Sequence, residues 1–321
     1  MRRFWLFCCY LFIAYISPVY AEVTPVVWQG IALGSGAEMR LYTEDKALAE
    51  RVIEQAQQEI EHLESIFSLY REDSTLSQLN KAGRLASPPP ELLAVLVQVK
   101  DIHAITQGKF DPTIQVLWNL YAAQVKQADG LRQAPSSESI KQALRLVDFK
   151  AVHFNEKEVA FRKKGMSMSL NGIAQGYITD KVMEIIRQAG IRRALIDIGE
   201  IRAMDLDKVG QWQVGIRNPK VQEGIFFKVS LQDGAISTSG GYGTVFDAEG
   251  HFTHIFNPKS GDNRERYQSV SVQAPTAALA DALSTAFSVS SVQEIKQVVQ
   301  QLPQIKVWVV DSHGKVVFKE E

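Results

Sequence analysis

The middle of this chain predicts a strand, a polar glycine-bearing turn, a helix and a second strand in direct succession. The apolar run over residues 166–170 leads into Asn171 and Gly172, and apolar residues then recur at helical spacing from Ile173 to Ala189. Gly190 stands where a helix C-cap is expected, and the apolar residues 194–199 follow at once. Because unpaired N–H groups at a helix start attract anions, the unit is either a phosphate-binding turn or only a tight connection.

The order of the other predicted elements favours an α+β fold over a doubly wound sheet. Residues 26–33 and 38–43 form a predicted hairpin, and residues 48–67 carry the apolar spacing of an amphipathic helix. Further helices are predicted at 91–106, 139–146 and 276–288, and strands at 159–162, 166–170, 212–217, 225–231, 252–256, 267–273, 307–310 and 316–319. Residues 126–138 are predicted as an exposed loop. Residues 22–321 are therefore expected to form one large domain.

The first 21 residues have the pattern of an export signal. Two arginines precede an apolar run over residues 4–16, and small residues allow cleavage after Ala21. Both cysteines of the chain lie inside this segment, so the mature protein would have neither disulfides nor a thiolate metal site. The cysteines lie too early for a lipoprotein anchor, and the arginines fit a twin-arginine signal poorly. A retained N-terminal anchor is the alternative.

The charge balance argues against nucleic acid as a partner. The chain has 35 basic and 36 acidic residues, so it offers no basic surplus to neutralise phosphates. The six histidines are scattered and show no zinc-binding spacing.

The predicted helix at residues 276–288 brings three oxygen-bearing side chains to one side. Asp281 and Thr285 are four residues apart, with Ser284 between them. A carboxylate with hydroxyls suits a hard cation such as Mg²⁺, and the apolar neighbours of Asp281 indicate a buried helix. The alternative is an exposed Asp281 on a solvated face.

Three other features have a functional and a structural interpretation. The hydroxyl- and glycine-rich residues 236–242 either cradle phosphates or make a sharp turn. Tyr70, in a polar loop, either stacks on a ligand or covers the core. His254, on a predicted strand, is either a general base or a hydrogen-bonding residue of the scaffold.

Six segments in one order carry a resemblance to the ApbE family, the FAD:protein FMN transferases. The segments are residues 66–74, 108–113, 169–180, 238–240, 254–258 with Gly261, and 280–286. The resemblance covers nearly all of the mature sequence. It implies a single ApbE-like, T-fold-related domain with mostly antiparallel sheets, packed helices and a cleft for FAD and Mg²⁺.

The resemblance also implies an activity, a partner and a location. Such an enzyme uses Mg²⁺ and FAD to attach FMN to a threonine or serine of an exported flavoprotein, a membrane-associated protein of the respiratory type, and releases AMP. The location would be periplasmic, in agreement with the export signal. The variants at residues 171–176 and 199–202 resemble the branch linked to nitrous oxide reductase maturation.

Residue roles follow from the resemblance by position. Mg²⁺ would be held by Asp281, Ser284, Thr285 and the carbonyl of Gly172. Contacts to the flavin nucleotide would come from Leu33, Tyr70, Lys109, Phe110, Asp111, Ser169, Gln175, Thr238, Ser239, Gly240 and Ile255. His254 is the candidate that accepts or orients the proton of the acceptor hydroxyl, because an unperturbed histidine titrates near working pH.

The chain departs from the family pattern at three positions of the expected site. The family often carries an acidic residue where this chain has Ser169, a lysine or glutamate at Gln175, and an aspartate at Asn257. Two other functions are open beside the transferase, and the three departures favour the second of them. One is an Mg²⁺-dependent FAD pyrophosphatase that forms FMN and AMP, and the other is a non-catalytic FAD-binding chaperone for a flavoprotein.

Overall fold

A computed structural model describes residues 24–128, 134–218, 224–243, 245–247 and 251–320. The predicted export signal and the domain boundary after residue 21 lie outside these ranges, as does part of the predicted loop at 126–138. Within the described ranges, no helix combines the length and the apolar character needed to cross a membrane.

The described residues form thirteen strands and eight α-helices. The strands are β1 (Val26–Ala32), β2 (Ser35–Tyr42), β3 (Arg84–Ala86), β4 (Val152–Phe154), β5 (Glu158–Phe161), β6 (Arg193–Asp197), β7 (Ile201–Asp205), β8 (Trp212–Arg217), β9 (Ile225–Leu231), β10 (Gly234–Ser239), β11 (Ser269–Ala274), β12 (Lys306–Val310) and β13 (Val316–Glu320). The helices are α1 (Lys46–Phe67), α2 (Thr75–Ala82), α3 (Pro90–Ile105), α4 (Gln115–Ala128), α5 (Ser137–Leu144), α6 (Ala174–Gln188), α7 (Ala277–Ser288) and α8 (Val292–Val299).

An eight-stranded sheet, in the order β1-β2-β6-β7-β10-β11-β12-β13, is the centre of the fold. Every pairing in it is antiparallel. A three-stranded sheet, β3-β5-β4, and the β8-β9 ribbon complete the β-structure. The α+β prediction with mostly antiparallel sheets is confirmed, whereas the cleft stays a prediction.

The main core lies between the large sheet and the helices packed on one of its faces. Helix α7 lies on β10 and β11 and packs against α6, which in turn packs against α1. The β8-β9 ribbon has a second, smaller core with Trp308 and Ile236 of the sheet. Strand alternation therefore sends successive side chains of β10 toward different neighbours.

The predicted helices and hairpins agree well with the structure. Helix α1 begins after Asp45, whose side chain accepts a hydrogen bond from the Leu48 N–H at 2.9 Å. Thr276 is the N-cap of α7, because its hydroxyl accepts from the Leu279 N–H at 3.3 Å. Ser291 caps α8 in a full capping box with Glu294.

Four local predictions were wrong. Residues 166–170 belong to no strand, and residues 252–256 form only isolated bridges at Phe252 and Thr253. Residues 234–239, partly assigned to a turn, form strand β10, because both its edges find partners in β7 and β11. Helix α4 continues to Ala128, into the predicted exposed loop.

Candidate functional site

The start of α6 meets the middle of α7 through a direct hydrogen bond. The Gly176 N–H donates to Oδ2 of Asp281 at 3.2 Å, and α6 has no side-chain cap of its own. The two helices approach so closely that a β-carbon on Gly176 would lie 2.3 Å from the Ala277 carbonyl oxygen. The Asp281 carboxylate therefore occupies the Gly176 N–H at this helix start, and phosphate binding by the turn stays a prediction.

Asp281 is buried, with 4% of its surface exposed. Burial raises the pKa of its carboxyl to about 7; the hydrogen bond from Gly176 opposes the rise, and the charge of Asp180 adds to it. Burial also raises the pKa of Glu200 well above its usual range, and the neighbouring Asp281 charge adds to that rise. Across the described part of the chain, neither carboxylate forms an ion pair with Lys, Arg or His. Two buried acids without a counter-charge fit a hard divalent cation.

A cluster of hydroxyls lies beside Asp281. Ser284 Oγ lies 2.7 Å from Ser239 Oγ and 3.1 Å from Ser237 Oγ, and Ser239 Oγ lies 3.4 Å from Thr285 Oγ1. Ser237 and Ser239 share a face of β10 because side chains alternate along a strand. Thr238 points to the other face, where its Oγ1 lies 2.9 Å from Ser271 Oγ.

The predicted turn and the predicted helix meet at Gly172 and Thr285. A β-carbon on Gly172 would lie 3.1 Å from Thr285 Oγ1 and 3.3 Å from a ring carbon of Phe110. Together with Ser239 and Asp281, these residues come from four separate parts of the chain. The structure thus brings together the predicted metal ligands and two of the predicted nucleotide contacts.

Lys109 and Asn257 meet at the C-terminal end of α7. Both side chains point to the Val289 carbonyl oxygen at 3.5 Å, and Lys109 Nζ lies 3.1 Å from Glu294 Oε1. Burial alone would raise the pKa of Glu294, but hydrogen bonds from Ser291 and the Lys109 ammonium lower it to about 2. A charged carboxylate therefore holds Lys109 beside the end of α7.

The Asp111 carboxylate is fully occupied by its own surroundings. It accepts hydrogen bonds from the N–H groups of Thr113 and Phe149 at 2.9 and 3.0 Å, and it lies 3.4 Å from His103 Nε2. These contacts fix the loop that carries Phe110. A flavin contact by Asp111 stays a prediction.

His254 lies in a segment that contacts residues just beyond the ends of β10 and α7. The preceding Thr253 packs on Gly241, just beyond β10, where an added β-carbon would lie 2.6 Å from Thr253 Cγ2. Asn257, three residues later, reaches Val289 at the end of α7. His254 itself is half-buried in a bend, and not on the predicted strand, while the Ile255 N–H donates to Thr253 Oγ1 at 3.3 Å.

The remaining predicted contacts lie around this centre or at the hairpin. Ser169 donates its N–H to the Pro112 carbonyl at 2.8 Å, next to the Phe110 loop. The Gln175 amide packs on Gly199, where a β-carbon would lie 2.9 Å from Gln175 Nε2. Gly240 is required by close packing, because an added β-carbon would lie 2.2 Å from the Tyr242 ring.

Leu33 and Tyr70 are placed near the first hairpin and the end of α1. The Leu33 N–H donates to Glu64 Oε1 of α1 at 2.7 Å, and Leu33 has a left-handed backbone with φ of 55°. Tyr70 follows α1 and is 88% exposed. This exposure leaves the ring free of the core, as a stacking residue requires.

Sequence reasoning missed Glu200 and Ser237. Glu200 belongs to the Gly199–Arg202 variant that was noted only as a branch marker, and the isolated acid between apolar residues was the available signal. Ser237 shares its face with Ser239, but the period-two pattern of β10 was hidden by the turn assignment.

Comparisons with known proteins show which family the chain belongs to. The FAD:protein FMN transferase of Treponema pallidum is 26% identical over 302 residues, which cover 85% of this chain and 81% of that protein. The FAD:protein FMN transferase of Escherichia coli K12 is 27% identical over 314 residues, which cover 93% and 88%. The crystal structure of the ApbE protein from Thermotoga maritima shares the fold with a TM-score of 0.81 at 24% identity, over 93% of this chain and 97% of that one. The ApbE family model matches residues 33–309, and the chain therefore belongs to the ApbE family.

Proposed function

We propose that this protein transfers FMN from FAD to a threonine or serine hydroxyl of another protein, in a reaction that requires Mg²⁺ and releases AMP. The observation that carries the proposal is the meeting of buried Asp281 with Ser284, Thr285 and Gly172 at the start of α6. The relatives are FAD:protein FMN transferases, which supports the same reaction class for this protein.

The residues of this cluster suit a hard cation. Asp281, Ser284, Thr285 and the Gly172 carbonyl would hold Mg²⁺, and Glu200 adds a second negative charge nearby. When bound, Mg²⁺ supplies a Lewis acid that offsets charge on the phosphate oxygens of FAD.

The chain's own groups would position the substrate. The start of α6 offers the positive end of a helix dipole, and Ser239 offers a hydroxyl within the cluster. Lys109, held at the C-terminal end of α7 by Glu294, offers a positively charged group. Positioning and electrostatics of this kind provide most of the catalysis in phosphoryl transfer.

The proposed reaction exchanges one phosphorus–oxygen bond for another. The acceptor hydroxyl oxygen forms a bond to the FMN-side phosphorus of FAD, the bond from that phosphorus to the bridging oxygen breaks, and AMP leaves with the bridging oxygen. His254 accepts the proton of the acceptor hydroxyl. The contacts of the neighbouring Thr253 with Gly241 and of Asn257 with the end of α7 support this role.

The proposal includes a location and a partner. The pattern of the first 21 residues supports export to the periplasm with cleavage after Ala21. The acceptor would be a membrane-associated flavoprotein of the respiratory type, and the variants at residues 171–176 and 199–202 support a link to nitrous oxide reductase maturation.

A flavin-labelling assay tests the proposal. Residues 22–321 are incubated with FAD, MgCl₂ and a purified respiratory flavoprotein domain, with a second acceptor domain whose threonine is replaced by valine as a blank. In-gel flavin fluorescence reports the transfer, and chromatography reports AMP. We expect Asp281→Ala to abolish labelling and His254→Ala to slow it by roughly 10²- to 10⁴-fold, the usual contribution of a general base.

The matched control is Asp101→Ala, which removes an exposed carboxylate from α3 and should label at the wild-type rate. AMP formed without a labelled acceptor would instead identify a pyrophosphatase. Bound FAD with neither product would identify a carrier, and either result contradicts the proposed transfer.

A further inference from the structure

The carboxylate of Asp180, on α6, caps the start of α7. Its Oδ1 accepts from the Ala277 N–H at 2.8 Å, and its Oδ2 accepts from the Ala278 N–H at 2.9 Å. Since Thr276 already binds the Leu279 N–H, these bonds leave no unpaired N–H in the first turn of α7. We propose that Asp180, held by Arg202, is a positioning residue for the cation site on α7; this inference rests on the proposed function.

The capping is reciprocal between the two helices. Gly176 and Asp180 are one turn apart on α6, and Ala277 and Asp281 are one turn apart on α7. Gly176 donates to Asp281, while Asp180 accepts from Ala277. Two bonds one turn apart fix both the rotation of α7 and its position along α6, so the orientation of Asp281 depends on Asp180.

The contact between the helices leaves no room for adjustment. A β-carbon on Gly176 would lie 2.3 Å from the Ala277 oxygen and 2.6 Å from the Ala278 nitrogen. The same two residues of α7 are those that Asp180 binds. A small shift at Asp180 is therefore transmitted directly to the start of α7.

Arg202 ties this contact to the central sheet. Its Nε lies 3.4 Å from Asp180 Oδ1, and its side chain, from β7, is 10% exposed. One of its terminal nitrogens donates to the Ala203 carbonyl at 2.9 Å and to Asp233 Oδ1 at 3.2 Å. Burial raises the pKa of Asp180 and the Arg202 charge opposes that rise, while the bonds to Ala203 and Asp233 fix the guanidinium beside the Asp180 carboxylate.

The groups proposed to hold Mg²⁺ are divided between α7 and the turn that precedes α6. The Gly172 carbonyl precedes α6, whereas Asp281 and Thr285 belong to α7. Their separation is set by how α7 lies on α6, and Asp180 sets that contact. Loss of the Asp180 charge should therefore weaken Mg²⁺ binding without removing any ligand.

Titration calorimetry with MgCl₂, alone and with FAD present, tests the inference on Asp180→Asn. We expect the Mg²⁺ dissociation constant to rise roughly 10- to 100-fold, the effect usual for groups that support metal ligands. The flavin-transfer rate should recover in part at saturating MgCl₂. The matched control is Asp45→Asn, which alters the cap of α1 and should leave Mg²⁺ binding unchanged.

Arg202→Gln provides a second variant that retains the Asp180 carboxylate. It should also weaken Mg²⁺ binding, by a smaller factor than Asp180→Asn. If Asp180→Asn does not fold, the Mg²⁺ dissociation constant of Arg202→Gln tests the inference instead. A lowered melting temperature with an unchanged Mg²⁺ dissociation constant would overturn the inference and leave Asp180 as a structural cap. A wild-type protein that binds Mg²⁺ but labels no acceptor would contradict the proposed function alone.

Discussion

At the scale of single residues, two influences on Asp281 conflict in the absence of a cation: its hydrogen bond favours the charged form, and its burial favours the protonated form. It accepts the Gly176 N–H at the start of α6, and it lies buried near Glu200. Burial and the charge of Asp180 both favour the protonated form of Asp281. A negative charge on Asp281 is therefore unfavourable until a cation binds beside it, and this favours uptake of a divalent ion.

The raised pKa of Asp281 predicts how stability depends on pH without metal. The folded form titrates near 7 and the unfolded form near its ordinary value of 3.8, so the folded protein holds more protons between them. In EDTA, the contribution of Asp281 to the free energy of unfolding should be largest below about pH 4 and fall as the pH rises to about 7. The loss should be roughly 1.4 kcal/mol for each unit by which the folded pKa exceeds the unfolded one. Urea unfolding at several pH values measures it.

Asp281→Asn serves as the comparison for that experiment. The amide cannot ionise, so the slope between pH 4 and 7 should flatten. MgCl₂ at pH 7.5 should stabilise the wild-type protein and not this variant. An equal slope in both proteins would show that another group carries the pH dependence.

At the scale of elements, helix caps and apolar spacing determine what the sequence could predict. The ends of α7 follow from Thr276 and from an alanine-rich run, and the side that carries Asp281 and Thr285 follows from helical spacing. The residues of strand β10 also suit a turn, because they are rich in hydroxyls and glycine. Only their pairing with β7 and β11 shows that they form a strand. The turn assignment hid which of its hydroxyls face α7.

The packing of α6 on α7 predicts a specific effect of Gly176→Ala. The new methyl group would overlap the Ala277 carbonyl, so the helices must separate at a cost of about 1–3 kcal/mol, and Mg²⁺ binding should weaken with it. Gly210→Ala is the control, because an added β-carbon there has no neighbour within 4 Å. We expect it to change stability by less than about 0.5 kcal/mol in urea unfolding. A neutral Gly176→Ala would contradict the close contact.

At the scale of the whole molecule, the site joins parts of the chain that are far apart in sequence. Phe110, Gly172, Ser239 and Thr285 meet in one place, although no local pattern relates them. The family resemblance predicted this meeting, and spacing alone could not. The role of Asp180 depends on partners about a hundred residues away in sequence, and that of Glu200 depends on its burial. Only the folded chain reveals either of them.

This assembly predicts that Mg²⁺ binding and global folding are lost together. Tryptophan fluorescence, far-ultraviolet circular dichroism and Mg²⁺ binding should show coincident transitions in urea, because α6, α7 and β10 share one core. MgCl₂ should move all three midpoints upward by the same amount. A separate early loss of Mg²⁺ binding would indicate that the site opens locally.

The reciprocal capping of α6 and α7 also bears on how the chain reaches its fold. The Asp180 carboxylate and the Ala277 N–H are 97 residues apart, so α6 is complete in sequence long before its partner exists. Until α7 arrives, docking α6 would bury the Gly176 N–H without an acceptor. Asp281, the acid proposed to bind the cation, thus also provides the acceptor that α6 needs in order to dock. The last third of the chain therefore determines when the first two thirds can finish folding.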